Sequence, residues 1–262
     1  MPERINVADF DLAASLMCGQ AFRWTVGADG WFTGVVGQRV YRLRQTGKLL
    51  EGDIDRHYLG LDVSLLDIVA TFPDDVALQK SVRRYWGLRV LRQEPWETLA
   101  SFIASSTKQI VQIRQIVETL ARRFGQQLET DAYAFPSATT IAGATLPQLR
   151  ACKLGFRAEY LLTAARMVDR GELNLEALPA LEYERGLEEL TKIHGVGEKI
   201  ANCTLLFSLG FDQAFPVDVW MQRALHRLGW RAKKITRRQV LEHFGPYAGW
   251  AQQYLFLSER SQ

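Results

Sequence analysis

With 262 residues, 47% of them hydrophobic and 23% charged, the chain can bury a full core and hold two or three subdomains. Its 32 lysines and arginines against 29 acids leave a net charge of +3, which permits nucleic-acid binding but leaves local clustering to make the case. No apolar run approaches the length of a membrane span, three widely spaced cysteines (Cys18, Cys152, Cys203) make neither a disulfide framework nor a zinc knuckle, and Met1-Pro2-Glu3-Arg4 is no secretion signal, so we expect an intracellular protein from a reducing compartment.

After an apolar stretch at residues 12–17, Gly19-Gln20-Ala21-Phe22-Arg23-Trp24 opens a run of short alternating segments. Gly27-Ala28-Asp29-Gly30, Gly37-Gln38 and Thr46-Gly47 break this run, and Trp31 to Val36 and Arg39 to Arg44 read as strands of an antiparallel meander. From Tyr58 the period lengthens to that of helices, with one starting at Pro73-Asp74-Asp75 and running toward Tyr85-Trp86. A boundary falls between Arg89 and Glu94, which divides the chain into residues 1–92 and 93–262.

From Pro95 onward everything reads as helix. Leu99, Phe102, Ile103, Ile110, Ile113, Ile116, Val117 and Leu120 trace one apolar stripe, interrupted at Ser105-Ser106-Thr107 by residues that favour caps and turns. Further helices are expected over Ala138 to Ala142, Leu146 to Lys153 and Ala158 to Asp169, with Phe156 and Arg157 in the turn at Leu154-Gly155. A basic helix follows from Val219, another begins near Thr236, and a last one covers Ala248 to Ser258. Between Val219 and Val240 lie seven basic residues (Arg223, Arg227, Arg231, Lys233, Lys234, Arg237, Arg238) and no acid, a pattern that fits a DNA-facing patch or a merely solvated helix face.

The stretch from Leu190 to Trp220 carries the chemistry. An apolar helix ends at Ile193, Gly195-Val196-Gly197 reverses the backbone, and a second helix begins at Glu198-Lys199, which makes a helix-hairpin-helix at about residues 190–210. Glycines there leave the hairpin amides and the second helix's N-terminus open to a phosphate, a contact that positions nucleic acid without reading its sequence. Lys199 and Cys203 are four apart and share a face, with Ile200, Leu206 and Phe207 on the buried side. An amine at the mouth of an apolar surface and at a helix N-terminus is a candidate nucleophile, because both surroundings favour a neutral amine. Asp218, just before a new helical pattern, reads first as its N-cap. Taken singly, each feature has a bland reading: a turn, a solvated lysine, a cap.

Together, Gly-Val-Gly-x-Lys, a cysteine one turn on and Pro216-Val217-Asp218-Val219 closely resemble the helix-hairpin-helix DNA glycosylases, and within them the 8-oxoguanine DNA glycosylase/AP lyase family. The resemblance runs almost end to end, through Cys18-Gly19-Gln20-Ala21-Phe22-Arg23-Trp24, Leu91-Arg92-Gln93-Glu94-Pro95 and Gly245-Pro246-Tyr247-Ala248-Gly249-Trp250-Ala251-Gln252. It implies an α+β fold in which an N-terminal antiparallel sheet domain precedes a mostly helical core, with the active site in a cleft between helical units. By the same resemblance Lys199 attacks C1′ of the damaged nucleotide and forms a Schiff base open to β-elimination, with Asp218 assisting while it caps its helix. The base must leave the duplex to be reached. The pocket implied for it consists of the Gly19 carbonyl, which meets the N7–H that distinguishes 8-oxoguanine from guanine, Gln252 on the Watson–Crick edge, and Phe256 and Cys203 on the two ring faces. Read without the family, Phe256 is a core aromatic, Cys203 a small hydrophobe and Gly19 a helix stop.

The remaining matched positions face DNA. Phe156 matches an aromatic wedge that fills the gap left by the extruded base, with Arg157 beside it, while Gly195, Val196 and Gly197 meet a phosphate. Two positions depart from better-known members: Thr107 and Gln112 stand where asparagine and arginine read the orphaned cytosine, and Trp220 stands where a histidine contacts phosphate. The implied partner is double-stranded DNA containing 8-oxoguanine, bound by a monomer with no membrane attachment and no metal or other cofactor. Three rival readings remain. Alkyl-purine glycosylases lack the lysine, endonuclease III-like enzymes carry four later cysteines where this chain has none after Cys203, and a non-catalytic binding module would leave Lys199, Asp218, Gly19 and Gln252 unexplained together.

Overall fold

The computed structural model describes residues 3–230 and 235–260; Met1 and Pro2, and Arg231, Lys233 and Lys234 of the basic run, lie outside the described residues. β1 (Glu3–Asn6), β2 (Trp24–Val26), β3 (Phe32–Val36), β4 (Arg39–Thr46) and β5 (Leu49–Gly52) form an antiparallel sheet in the order β1-β5-β4-β3-β2. The β3–β4 hairpin pairs Phe32 with Leu43 and Val36 with Arg39, so the expected meander is present. It is extended by β5 and by β1, which returns from the N-terminus to pair Glu3 with Gly52.

Helix α1 (Leu12–Met17) starts where the Asp11 carboxylate accepts from the Ala14 amide, and α2 (Leu65–Ala70) and α3 (Val76–Arg84) are capped in the same manner by Ser64 and Asp75. A helical core follows in chain order as α4 (Pro95–Ser105), α5 (Ile110–Phe124), α6 (Ala138–Ala142), α7 (Leu146–Leu149), α8 (Arg157–Asp169), α9 (Tyr183–Thr191), α10 (Glu198–Ser208), α11 (Val219–Arg227), α12 (Arg237–Phe244) and α13 (Ala248–Arg260). The apolar stripe predicted along α4 and α5 is buried, apart from a half-buried Ile110.

Two expectations need correction. The chain beyond Pro95 is not all helix, because Gln127–Glu129 and Ala132–Tyr133 form a two-stranded ribbon around a short turn. The helix expected over Leu146 to Lys153 breaks after Leu149, where Arg150–Leu154 winds more widely and Lys153 takes φ 63°.

A buried polar seam ties the sheet to the helices and carries Gly19 to its place. Gln20 donates to the carbonyls of Ser15 (2.8 Å) and Arg89 (2.7 Å) and accepts from the Leu91 amide (3.0 Å). Gln93 donates from its side chain to Gln20 O (2.8 Å) and from its backbone to Phe207 O at the end of α10 (2.8 Å). Arg92 pairs with Asp212 at 2.9 Å, and Asp212 accepts from Trp250 Nε1 at 3.0 Å, which fixes the start of α13. The Gln20 and Gln93 side chains are thus paired across the seam, as a closely packed interior requires, while Arg92 Nη1 is buried and finds no partner among the described residues.

Candidate active site

Helices α4 and α10 pack face to face, with the Phe102 and Phe207 rings stacked at 5.5 Å. Beside this stack opens a cavity of about 820 Å³, lined by Gly19, Thr107, Lys199, Cys203, Asp218, Trp220, Gln252 and Phe256. Seven of these eight residues are carried by four separate segments: the loop after α1, helix α10, the start of α11, and α13. Thr107 comes from the turn between α4 and α5. The volume is that of an ordinary small-molecule site and suffices for one flipped base.

Lys199 is half-buried on the first turn of α10. Its Nζ donates to Ser105 Oγ at 3.2 Å and lies 5.0 Å from the centre of the Phe102 ring. Asp218 caps α11 as expected: Oδ1 accepts from the amides of Trp220 (3.0 Å) and Met221 (2.9 Å). Burial pushes the Cys203 thiol up to about 11, with the neighbouring Lys199 amine pulling it down, so it stays protonated and presents an apolar face.

Gln252 is 3% exposed, and its Oε1 is buried with no hydrogen-bond partner among the described residues. An orphaned buried acceptor costs about 1–3 kcal/mol, a cost that a ligand donor would remove. Gly19 takes φ +100°, so its backbone calls for glycine, and a Cβ there would have to displace Ile110 Cδ1 from 2.4 Å. Arg260 on α13 donates to the preceding carbonyl, Cys18 O, at 3.3 Å.

Of the residues expected to face DNA, Thr107 and Trp220 line the cavity and the others lie outside it. Phe156 is 57% exposed at the N-terminus of α8, its ring edge-on to Tyr160 at 5.8 Å. Arg157 differs from expectation: it is 4% exposed, and its guanidinium is spent on Ser106 O, Leu154 O and Thr107 Oγ1. Gln112 is turned onto its own helix, where Oε1 accepts from the Gln109 amide at 3.1 Å.

Within the hairpin, Gly195 and Gly197 are exposed, whereas the Val196 side chain is buried and its amide donates to Ile193 O. Trp220 stands at the cavity rim with the Arg223 guanidinium 4.9 Å from its ring centre. The rest of the described basic run is partly neutralised. Arg227 pairs with Glu259 (3.2 Å), Arg238 with Glu242 (2.7 Å) and Arg237 with Glu184, so a run without acids in sequence is not without them in space.

Comparison with known proteins decides what kind of chain builds this cavity. The family model of the HhH-GPD superfamily base excision DNA repair protein matches residues 100–247, more than half of the chain. The protein belongs to this superfamily. The N-terminal domain of 8-oxoguanine DNA glycosylase matches residues 4–54 and 51–99, which covers the sheet of this base excision repair protein.

A Saccharomyces cerevisiae N-glycosylase/DNA lyase is 31% identical over 97% of the chain and 85% of the relative. The Clostridium acetobutylicum 8-oxoguanine glycosylase/lyase, solved with double-stranded DNA containing cytosine opposite 8-oxoguanine, superposes with a TM-score of 0.92 at 32% identity, over 100% of this chain and 98% of that one. A 3-methyladenine DNA glycosylase from Archaeoglobus fulgidus, at 23% identity and a TM-score of 0.77 over 99% and 98% of the two chains, shares the fold.

Ser105, in sequence only a turn former, and Phe102, in sequence only a core residue, also line the cavity beside Lys199. The one signal for Ser105 was its position at the end of the stripe that faces α10, and nothing local said that a lysine would meet it.

Proposed function

We propose that this enzyme excises 8-oxoguanine from duplex DNA and then cleaves the strand as an AP lyase. The observation that carries the reading is one cavity that brings the Lys199 amine, the Asp218 carboxylate, the unpartnered Gln252 Oε1 and the Gly19 backbone together. The flipped base enters between Cys203 and Phe256. Gln252 accepts from and donates to its Watson–Crick edge, and the Gly19 carbonyl accepts from N7–H, where guanine would present a second acceptor and be repelled.

The lone pair of the Lys199 amine attacks C1′ as the N-glycosidic bond breaks, the bonding pair leaves with the base, and the proton that the new C–N nitrogen gives up balances the one that the base takes up. The aminal then opens to a Schiff base, loses a C2′ proton and expels the 3′ phosphate by β-elimination. Asp218 stabilises positive charge that develops on the sugar without giving up its cap. Phe156 occupies the gap in the duplex, and the hairpin at Gly195 and Gly197 holds a backbone phosphate. Lys199, and a sheet domain whose sequence matches the 8-oxoguanine DNA glycosylase model, favour this reading over an alkyl-purine glycosylase, which can share the fold. An enzyme of base excision repair acts where DNA is, so the protein is intracellular and DNA-associated.

The test is borohydride trapping on a duplex that contains 8-oxoguanine. Wild type forms a covalent adduct, while Lys199→Gln loses both adduct and base excision yet still binds the lesion duplex. A variant that traps at the wild-type level would show that another group is the nucleophile.

A further inference from the structure

Arg157 is a charged candidate DNA contact that the fold has turned inward, and its partners say what it does instead. Helix α4 ends at Ser105 with Ser106 as its C-cap, and the last carbonyls of a helix lack partners within it. Arg157 Nε donates to Ser106 O at 2.7 Å, Nη2 donates to the same oxygen, and Nη2 also reaches Thr107 Oγ1 at 2.5 Å. Its positive charge sits at the negative end of α4, where it is favoured. Thr107 needs holding: it takes φ +55°, which is strained for a β-branched residue.

One residue before this turn stands Ser105. Its hydroxyl donates to Phe102 O at 2.7 Å, so its proton is committed and the oxygen can only accept from Lys199 Nζ at 3.2 Å. One N–H of the amine is thereby pinned to the wall of the cavity, and the rest of the group is directed away from that wall. We infer that Arg157 is a positioning residue for Lys199: it clamps the Ser106–Thr107 turn from behind and so holds Ser105 as the acceptor that orients the amine. The inference rests on Lys199 being the nucleophile. It removes Arg157 from the set of DNA contacts and makes Ser105 part of the machinery that aims the amine.

Three measurements on a lesion duplex test it: the single-turnover excision rate at saturating enzyme, the rate of borohydride trapping, and the Kd for a duplex carrying a stable abasic analogue. Arg157→Met and Ser105→Ala should each slow excision and trapping by about tenfold or more, as misdirected reacting groups do, while Kd stays within about threefold of wild type. Because both act through one chain of contacts, the double variant should be no more than about threefold slower than the slower single variant. Arg157→Lys should recover part of the loss, since an ammonium can serve Ser106 O but lacks the fork that also reaches Thr107.

Losses that multiply in the double variant would overturn the inference. So would an Arg157→Met protein whose Kd rises about tenfold with its saturated rate intact, since Arg157 would then be touching DNA. Should Arg157→Met fail to fold by circular dichroism, Ser105→Ala and Arg157→Lys carry the test, and a wild-type rate in Ser105→Ala sinks it. Persistent trapping by Lys199→Gln is a separate outcome, which removes the nucleophile assignment itself.

Discussion

The ring of Tyr160 fills the space in which a side chain on Gly195 would begin, its nearest carbon 2.2 Å from where a Cβ would lie. Tyr160 also meets His194 edge-on at 5.0 Å and Phe156 at 5.8 Å, so helix α8 supports both the hairpin turn and the exposed wedge. Gly195→Ala must therefore displace Tyr160 and also bear φ +87°, at a cost of about 2 kcal/mol or more. Among the described residues, no atom beyond its chain neighbours lies within 4 Å of a would-be Cβ on Gly197, and its φ of −92° is ordinary. We expect Gly195→Ala to lower the melting temperature and Gly197→Ala to leave it unchanged while weakening duplex binding, because the added methyl obstructs a phosphate. Thermal melts with a fluorescence-anisotropy titration check both; a Gly197→Ala protein with wild-type affinity would remove this residue from the DNA interface.

Asp218 separates into two roles by substitution. Asparagine can still accept from the amides of Trp220 and Met221, so Asp218→Asn should keep nearly full stability, whereas Asp218→Ala loses the cap at about 1 kcal/mol. Both remove the carboxylate, and both should slow single-turnover excision by about a hundredfold, in the range of a lost electrostatic contact. If Asp218→Asn excises at the wild-type rate, the residue is a cap and no more.

Gln252 should show a trade between stability and activity. Its unpartnered Oε1 is a liability in the empty protein, so Gln252→Met, of similar shape, should raise stability or leave it level in denaturant titration. Excision should fall about tenfold or more, because the base edge loses its donor and acceptor together. A marked loss of stability would mean that the amide is anchored within the protein.

Opposite-base choice should be relaxed. Thr107 Oγ1 already receives Arg157 at 2.5 Å, and Gln112 Oε1 is used in capping its own helix, so neither is poised as a fork for the orphaned cytosine. Two good base contacts at about 1–3 kcal/mol each would make a preference of a hundredfold, and their weakening should bring excision opposite cytosine and opposite the other bases within about tenfold. Single-turnover rates opposite all four bases decide it, and a hundredfold preference for cytosine would contradict it.

What the sequence determined by itself is local in its physics. The alternation of Trp31 to Val36 and Arg39 to Arg44 specifies a hairpin because side chains in a strand point to alternate faces, and Asp218 announces a helix because a carboxylate before it can accept from its first amides. Lys199 and Cys203 line one cavity because four residues make about one helical turn. Only the tertiary structure decided partners distant in the chain. It brought Glu184 and Glu259 onto arginines of an acid-free run, and it placed Ser105 under Lys199. It also buried the Arg157 side chain and set its guanidinium against the Ser106 carbonyl at the end of α4. A hydrogen bond between remote residues depends on how two whole elements pack, and no periodicity along either element encodes which donor will find which acceptor.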